Sequence, residues 1–142
     1  MLMQARIALG IQRSLDNVAH RERHGTIPPT STITTREALS WVTVEGARML
    51  RQEHRLGSLA CGKQADLVVI RADDLNMQPV HDPVSSVVMH ASLANIDSVM
   101  VAGRWKKRAG RLVDVDLAPK LARLQASGRK IAAALGLTVD VA

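Results

Sequence analysis

A chain of 142 residues suits one domain and is too short for a complete eight-stranded α/β barrel, which takes roughly 250 residues. Its 46% hydrophobic and 23% charged residues exclude whole-chain disorder, and the lack of Phe and Tyr beside only Trp41 and Trp105 argues against base-stacking nucleic-acid modules. The formal charge of +6 is uneven: residues 1–63 carry +4, residues 64–102 carry −4 and residues 103–142 carry +6, so the basic excess sits at the ends around an acidic middle.

Met1 to about Arg23 reads as a helix, because Met3, Ile7, Ile11, Leu15 and Val18 recur at steps of four and three and form one apolar stripe. The pattern starts at full strength with no capping residue before it, which leads to the expectation that its natural beginning lies upstream. Gly25 to Thr32 is a loop of glycine, two prolines and hydroxyl residues. Thr34-Thr35-Arg36-Glu37 then has capping-box spacing and opens a second helix that runs on through Leu50, with Leu39, Val42, Gly46 and Leu50 on one stripe. Gly46 on that stripe predicts a close helix contact.

From Leu56 the texture changes to turns and short strands. Turn residues at 57–58 and 61–63 flank a short strand, and Ala65 to Ile70 is an apolar run of strand length. Leu75 to Pro83 is a loop with two prolines; Val84 to Ala91 and Ile96 to Ala102 read as two further strands. Gly103-Arg104 turns into a strand at 105–108, and Ala109-Gly110 turns into 111–113. Asp116 is placed to cap a last helix, with Leu117, Leu121, Leu124, Ile131 and Leu135 as a docking stripe too short for a coiled coil.

The single cysteine, Cys61, excludes an intramolecular disulfide and a multi-thiolate zinc site. No apolar run approaches the roughly 18 residues of a membrane span and no signal peptide is visible, so a cytoplasmic setting with no membrane partner is the expectation. Among the five histidines, His20 and His24 have the i, i+4 spacing that can bring two imidazoles to one ion. Their segment, HRERH, lacks a glutamate after the first histidine, and Arg21 and Arg23 oppose a cation, so the pair reads as exposed helix-end residues. His54 follows a helix end, His81 precedes the turn residue Asp82, and His90 closes a strand. Asp66 is expected to bond turn amides rather than carry acid–base chemistry. Lys63 stands near Cys61 with no base beside it, and the run 105–108 reads as a solvated edge strand defended by lysines. There is neither a nucleophile elbow nor a phosphate loop. The residues therefore name no catalytic, cofactor-binding or metal-ligating position.

A longer pattern is more specific. Thr35-Arg36-Glu37-Ala38-Leu39, Thr43 to Arg48, Leu56-Gly57-Ser58-Leu59 and Gly62 to Ile70 are followed by His81-Asp82-Pro83-Val84, Val99 to Arg104 and Gly110 to Val113. This order, from Met1 to about Val113, resembles the C-terminal region of metal-dependent amidohydrolases, in the branch of cytosine deaminases, guanine-type deaminases and triazine chlorohydrolases. The resemblance implies a mixed α/β chain: the terminal helices of a TIM-type barrel (residues 1–55), the C-terminal share of a composite β-sandwich (56–115) and a docking helix with its tail (116–142). It further implies a hydrolase in which a divalent metal, zinc or iron, activates water against a C–N or C–Cl bond of a heteroaromatic ring. Family ligands would lie before Met1, and none of His20, His24, His54, His81 and His90 matches one; this chain is then scaffold and holds no cofactor. A small heteroaromatic substrate in the complete enzyme, and a homo-oligomer or association through unpaired strands, follow from the same reading. The alternative is a basic, non-enzymatic interaction module centred on residues 103–142.

Overall fold

The computed structural model describes residues 1–137, in which five α-helices and four strands follow in the order α1 (Leu2–His24), α2 (Thr35–Trp41), α3 (Val44–Met49), β1 (Leu67–Ile70), α4 (Pro83–His90), β2 (Ile96–Val101), β3 (Arg104–Arg108), β4 (Arg111–Leu112) and α5 (Ala118–Ala134), with short 3-10 turns at Leu75–Met77 and Leu93–Asn95. The mixed α/β class is as the sequence implies. Two compact units make up the chain, Met1–Arg111 and the segment from Leu112 onward.

In the first unit the helices meet around Leu9 of α1, Ala38 of α2 and Val88 of α4, all buried, with Ile33, Leu39 and Trp41 packed against them. The face of α1 that reaches this core is Ala5 and Leu9. The stripe that the sequence makes most prominent, Met3, Ile7, Ile11, Leu15 and Val18, is exposed, from 54% at Ile7 and Val18 to 69% at Met3. The period is helical as expected; the side it marks is not the one that packs within this chain.

The capping box at Thr34 is formed. The Thr34 hydroxyl accepts from the Glu37 amide at 3.2 Å, and a Glu37 carboxylate oxygen accepts from the Thr34 amide at 2.7 Å. The single helix expected over 34–50 is broken into α2 and α3. The break falls on Val42-Thr43, directly before Val44 opens α3, a run of three β-branched residues with restricted side chains. There the Thr43 hydroxyl donates to the Leu39 carbonyl at 2.8 Å, so a side chain takes up a helix acceptor.

The strand expected over 84–91 is instead the helix α4. Asp82 stands at its N-cap, accepting from the amides of Val84 and Ser85, and Pro83 occupies the first turn, where its missing N–H costs nothing. Capping thus overrides the β-branched content of this segment. His90 accordingly closes a helix, not a strand. Likewise no strand forms between Leu56 and Lys63; the segment is turns.

The sheet is an antiparallel meander in the order β1-β2-β3-β4. Leu67 faces Met100 and Val69 faces Ser98 across the first pair, and Val101 faces Arg104 across the second. Both later hairpins turn on an Ala-Gly pair with positive φ: Ala102 at 49° with Gly103 at 75°, then Ala109 at 47° with Gly110 at 77°. That conformation is the one tight two-residue hairpins demand, and alanine enters it at a cost. Of the packing glycines, Gly46 has one near neighbour, Trp41 O, 3.2 Å from where a Cβ would stand. The closest approach belongs to Gly57: a Cβ there would lie 2.8 Å from Ala47 Cβ and 3.0 Å from Thr43 O and Val44 Cα.

The second unit contains α5. Asp116 is not its cap: Leu117 holds the N-cap position with no side-chain cap bond, and Asp116, one residue earlier, accepts from the Ala118 amide at 3.1 Å. Leu117, Leu121, Leu124, Ile131 and Leu135 are exposed. Of the helix and tail expected over 116–142, residues 138–142 lie outside the described residues.

Two stability outcomes follow. In equilibrium denaturation of the 142-residue chain, Leu9→Ala is expected to cost about 3 kcal/mol as a core cavity, while Ile11→Ala stays within about 0.5 kcal/mol as a surface change. Ala109→Asn, placing a residue that tolerates left-handed backbone, is expected to raise stability by roughly 0.5–1 kcal/mol, read as a higher denaturation midpoint.

Candidate functional site

The polar residues of the first unit tie elements together before they do anything else. Arg6, on α1, donates from Nε to the Val88 carbonyl and from Nη2 to the Ala91 carbonyl, each at 2.8 Å. These are carbonyls at the end of α4 that lack helical partners, and a guanidinium there also suits the negative end of the helix dipole. Arg13 similarly donates from Nε to the Ile33 carbonyl at 3.0 Å, holding the 25–34 loop against α1.

Below α4 lies a network that the sequence reading missed. Asn95 is 1% exposed, and its Oδ1 accepts from the Ser92 amide at 2.8 Å and the Ser92 hydroxyl at 2.9 Å. Asn95 Nδ2 donates to Asp74 Oδ2 at 2.7 Å; Asn76 Nδ2 donates to the His90 carbonyl at 2.9 Å. Arg71 closes the group through two 3.0 Å bonds to the Asp74 carboxylate, which raise the guanidinium above its ordinary pKa. The available signal was Ser92-x-x-Asn95, whose spacing matches the capping geometry around Leu93–Asn95. Every one of these groups serves backbone or a neighbouring side chain, which makes the network a brace between the 71–78 segment, α4 and the start of β2.

The residues singled out by sequence are scattered. His20 and His24 are the exception: their ring centroids lie 4.4 Å apart with planes tilted by 43°. They line a shallow cleft with Asp16, Arg23, Pro28 and Thr32. There the Thr32 hydroxyl, and secondarily the Gln12 amide, hold the Asp16 carboxyl below its usual range. His54 and His81 are exposed in turns, and His90 is exposed at the end of α4. Asp66 takes the role expected of it, accepting from the Ala102 amide at 2.5 Å and so fastening the turn between β2 and β3.

Lys63 is drawn away from thiol chemistry. Its ammonium donates to Ser58 Oγ at 2.7 Å and to the Glu53 carbonyl at 2.5 Å, clasping the 53–58 turn, while Cys61 is exposed and free. In β3, Arg104, Lys106 and Arg108 are exposed, Arg108 lies 5.6 Å from the Trp105 ring centroid, and Lys107 donates to the Ile96 carbonyl. Among the described residues no group of three or more His, Cys, Asp or Glu side chains is placed to hold a metal ion. The metal implied by the resemblance therefore has no fitting donor set in them. No helix among them is long and apolar enough to cross a membrane.

Comparison with known proteins adds the context. A model described as Amidohydrolase family matches residues 11–105. The 8-oxoguanine deaminase of Pseudomonas aeruginosa is 36% identical over 133 residues, covering 94% of this chain and 26% of that protein. A 5-methylthioadenosine/S-adenosylhomocysteine deaminase of Teredinibacter turnerae is 42% identical over 71 residues, half of this chain and 16% of that protein. Among solved structures, an adenosine deaminase from Xanthomonas campestris with bound zinc superposes with a TM-score of 0.73 at 27% identity, over 92% of this chain and 27% of that one. The zinc-bound atrazine chlorohydrolase of Arthrobacter aurescens gives 0.62 at 30% identity, over 83% and 25%. The chain spans about a quarter of the length of the first of these relatives.

The caps give a pH prediction. The Ser85 hydroxyl and amide hold the Asp82 carboxyl below its ordinary value, and the Thr34 amide and hydroxyl do the same for Glu37. A depressed carboxyl adds stability above its unfolded pKa and loses it as pH falls through the folded one. Unfolding midpoints are therefore expected to be flat near neutrality and to fall below about pH 4, with Asp82→Asn lowering the neutral plateau and reducing the acid slope. Thermal melts at several pH values read this.

Proposed function

The chain belongs to the amidohydrolase family, and on that premise we propose that it is the C-terminal part of a hydrolase acting on a non-peptide C–N or C–Cl bond of a heteroaromatic ring. The observation that carries this reading is the extent of the match: 94% of the chain aligns with one quarter of a purine deaminase at 36% identity. The substrate class follows from the named relatives, whose rings are purines and a triazine. The complete enzyme then takes a small ring of that kind and works in the cytoplasm.

In this reading residues 1–55 are the last helices of a barrel, 56–115 are part of a β-sandwich, and 116–142 are a docking helix and tail. The exposed Met3–Val18 stripe of α1 supports the first assignment, because it is an apolar face as wide as a packed helix needs. The strand β1, hydrogen-bonded in the sheet only to β2, supports the second and also the expectation of homo-oligomers or association through strand edges. The chain's share of the catalytic work is scaffold: no residue of it is assigned to catalysis, to substrate or to the metal of the catalytic centre. The zinc bound in the matched structures supports a divalent metal in the complete enzyme; that it is zinc or iron, with ligands outside these 142 residues, is part of the proposal.

The test is a pair of polypeptides. Coding sequence upstream of Met1 is expected to continue in frame for roughly a barrel's length. The longer product, assayed for ammonia or chloride release on 8-oxoguanine, 5-methylthioadenosine and atrazine, is expected to turn over at least one of them and to retain metal through chelator dialysis. The 142-residue chain is expected to do neither. Turnover by the short chain would overturn its assignment as scaffold.

A further inference from the structure

We propose that His20 and His24 form a two-imidazole site for a borderline divalent transition ion, of the Cu²⁺, Ni²⁺ or Zn²⁺ class. The site lies on α1 and stands independently of the hydrolase reading. The two residues are one helical turn apart on one face, and their rings already touch at a centroid separation of 4.4 Å. Metal–imidazole bonds of about 2.0–2.1 Å bring two ring nitrogens within roughly 3–4 Å of each other around one ion. Rings at this separation and tilt reach that arrangement by side-chain rotation alone, without moving the helix.

The surroundings set the sign of the local field. The pair lies in the last two turns of α1, where the helix dipole favours positive charge. Asp16, one turn before His20, lines the same cleft as an ionised carboxylate; its oxygens accept from Thr32 and Gln12, and it brings negative charge next to the imidazole pair. Arg23 lines the cleft as well and opposes the ion, and Glu22 and Arg21 share a neighbouring groove of the same helix. Two imidazoles and an adjacent carboxylate against one guanidinium leave the cleft receptive to a cation that imidazole binds well. Hard ions such as Mg²⁺ require a near-octahedral set of oxygen donors, and the cleft offers one carboxylate, already engaged by Thr32 and Gln12. With two protein donors, water fills the remaining positions. The ion is therefore exchangeable and is stripped by chelators, unlike the resident metal of a catalytic centre.

The experiment titrates CuCl₂ into the chelator-treated 142-residue chain, read by calorimetry and by electron paramagnetic resonance. One Cu²⁺ per chain is expected, with splitting from two imidazole nitrogens, and displaceable by a large excess of Zn²⁺ but not by the same excess of Mg²⁺. His20→Gln and His24→Gln should each weaken binding about tenfold or more, since losing even an outer-shell partner costs about 10–100-fold. Both side chains are at the surface end of α1, so helix content by circular dichroism should not change. The combined variant Arg21→His with His24→Gln keeps two histidines but splays them around the helix, and is expected to bind as weakly as His24→Gln. A variant with His54, His81 and His90 all changed to Gln should bind as the parent does. Undiminished binding in either single variant, or loss of binding in that triple variant, overturns the proposal.

Discussion

The end of α4 presents carbonyls that helix geometry cannot satisfy, and much of the first unit is arranged around taking them up. Arg6 reaches across from α1 to two of them and Asn76 takes a third. Because Arg6 sits one position after Ala5 and three before Leu9, the same stretch of α1 that answers the carbonyls also delivers the apolar contact with Val88 and Ala38. Polar satisfaction and burial are thus coupled: the guanidinium fixes how α1 lies on α4, and the core closes in that register. An unpaired buried carbonyl would cost about as much as the packing gains.

That arrangement leaves the most hydrophobic side of α1 facing outward. The core of the unit is small, built from Ala, Leu, Val and Met with a single half-buried tryptophan at its margin, while a longer row of Met, Ile, Leu and Val stays in solvent. The helix is thus committed on one side, through the Arg6 clasp and Leu9, while its apolar row stays uncovered among the described residues. The amidohydrolase match gives that geometry its context without assigning chemistry to it.

What could be read from sequence divides by the range of the interaction. Local rules worked where they were self-contained: Thr34 with Glu37, Asp66 on a turn amide, the two Ala-Gly hairpins, and the helical period of α1. They failed where two local rules competed. At 82–91 the β-branched residues pointed to a strand while Asp82-Pro83 pointed to a helix, and the cap prevailed. At 42–44 the stripe pointed to continuity while three β-branched residues interrupted it. Long-range side-chain bonds, above all Arg6 to α4 and Asn95 to Asp74, leave no periodic trace, since their partners are 82 and 21 residues away. The family resemblance was legible for another reason: it rests on the order of several turn and cap motifs, which survive even when the individual elements are misassigned.

Gly57 shows how narrow the tolerance of such a turn can be. With Ala47 Cβ, Thr43 O and Val44 Cα all within 3.0 Å of the position a side chain would begin from, and φ at +85°, neither space nor backbone admits a second kind of residue. The residue therefore works as a spacer of zero thickness between α3 and the segment leading into the sheet. It sets a distance of closest approach that no side chain elsewhere can compensate. Position 57 is in effect a gauge block: any side chain begun there would have to push α3 and that segment apart before the turn could close.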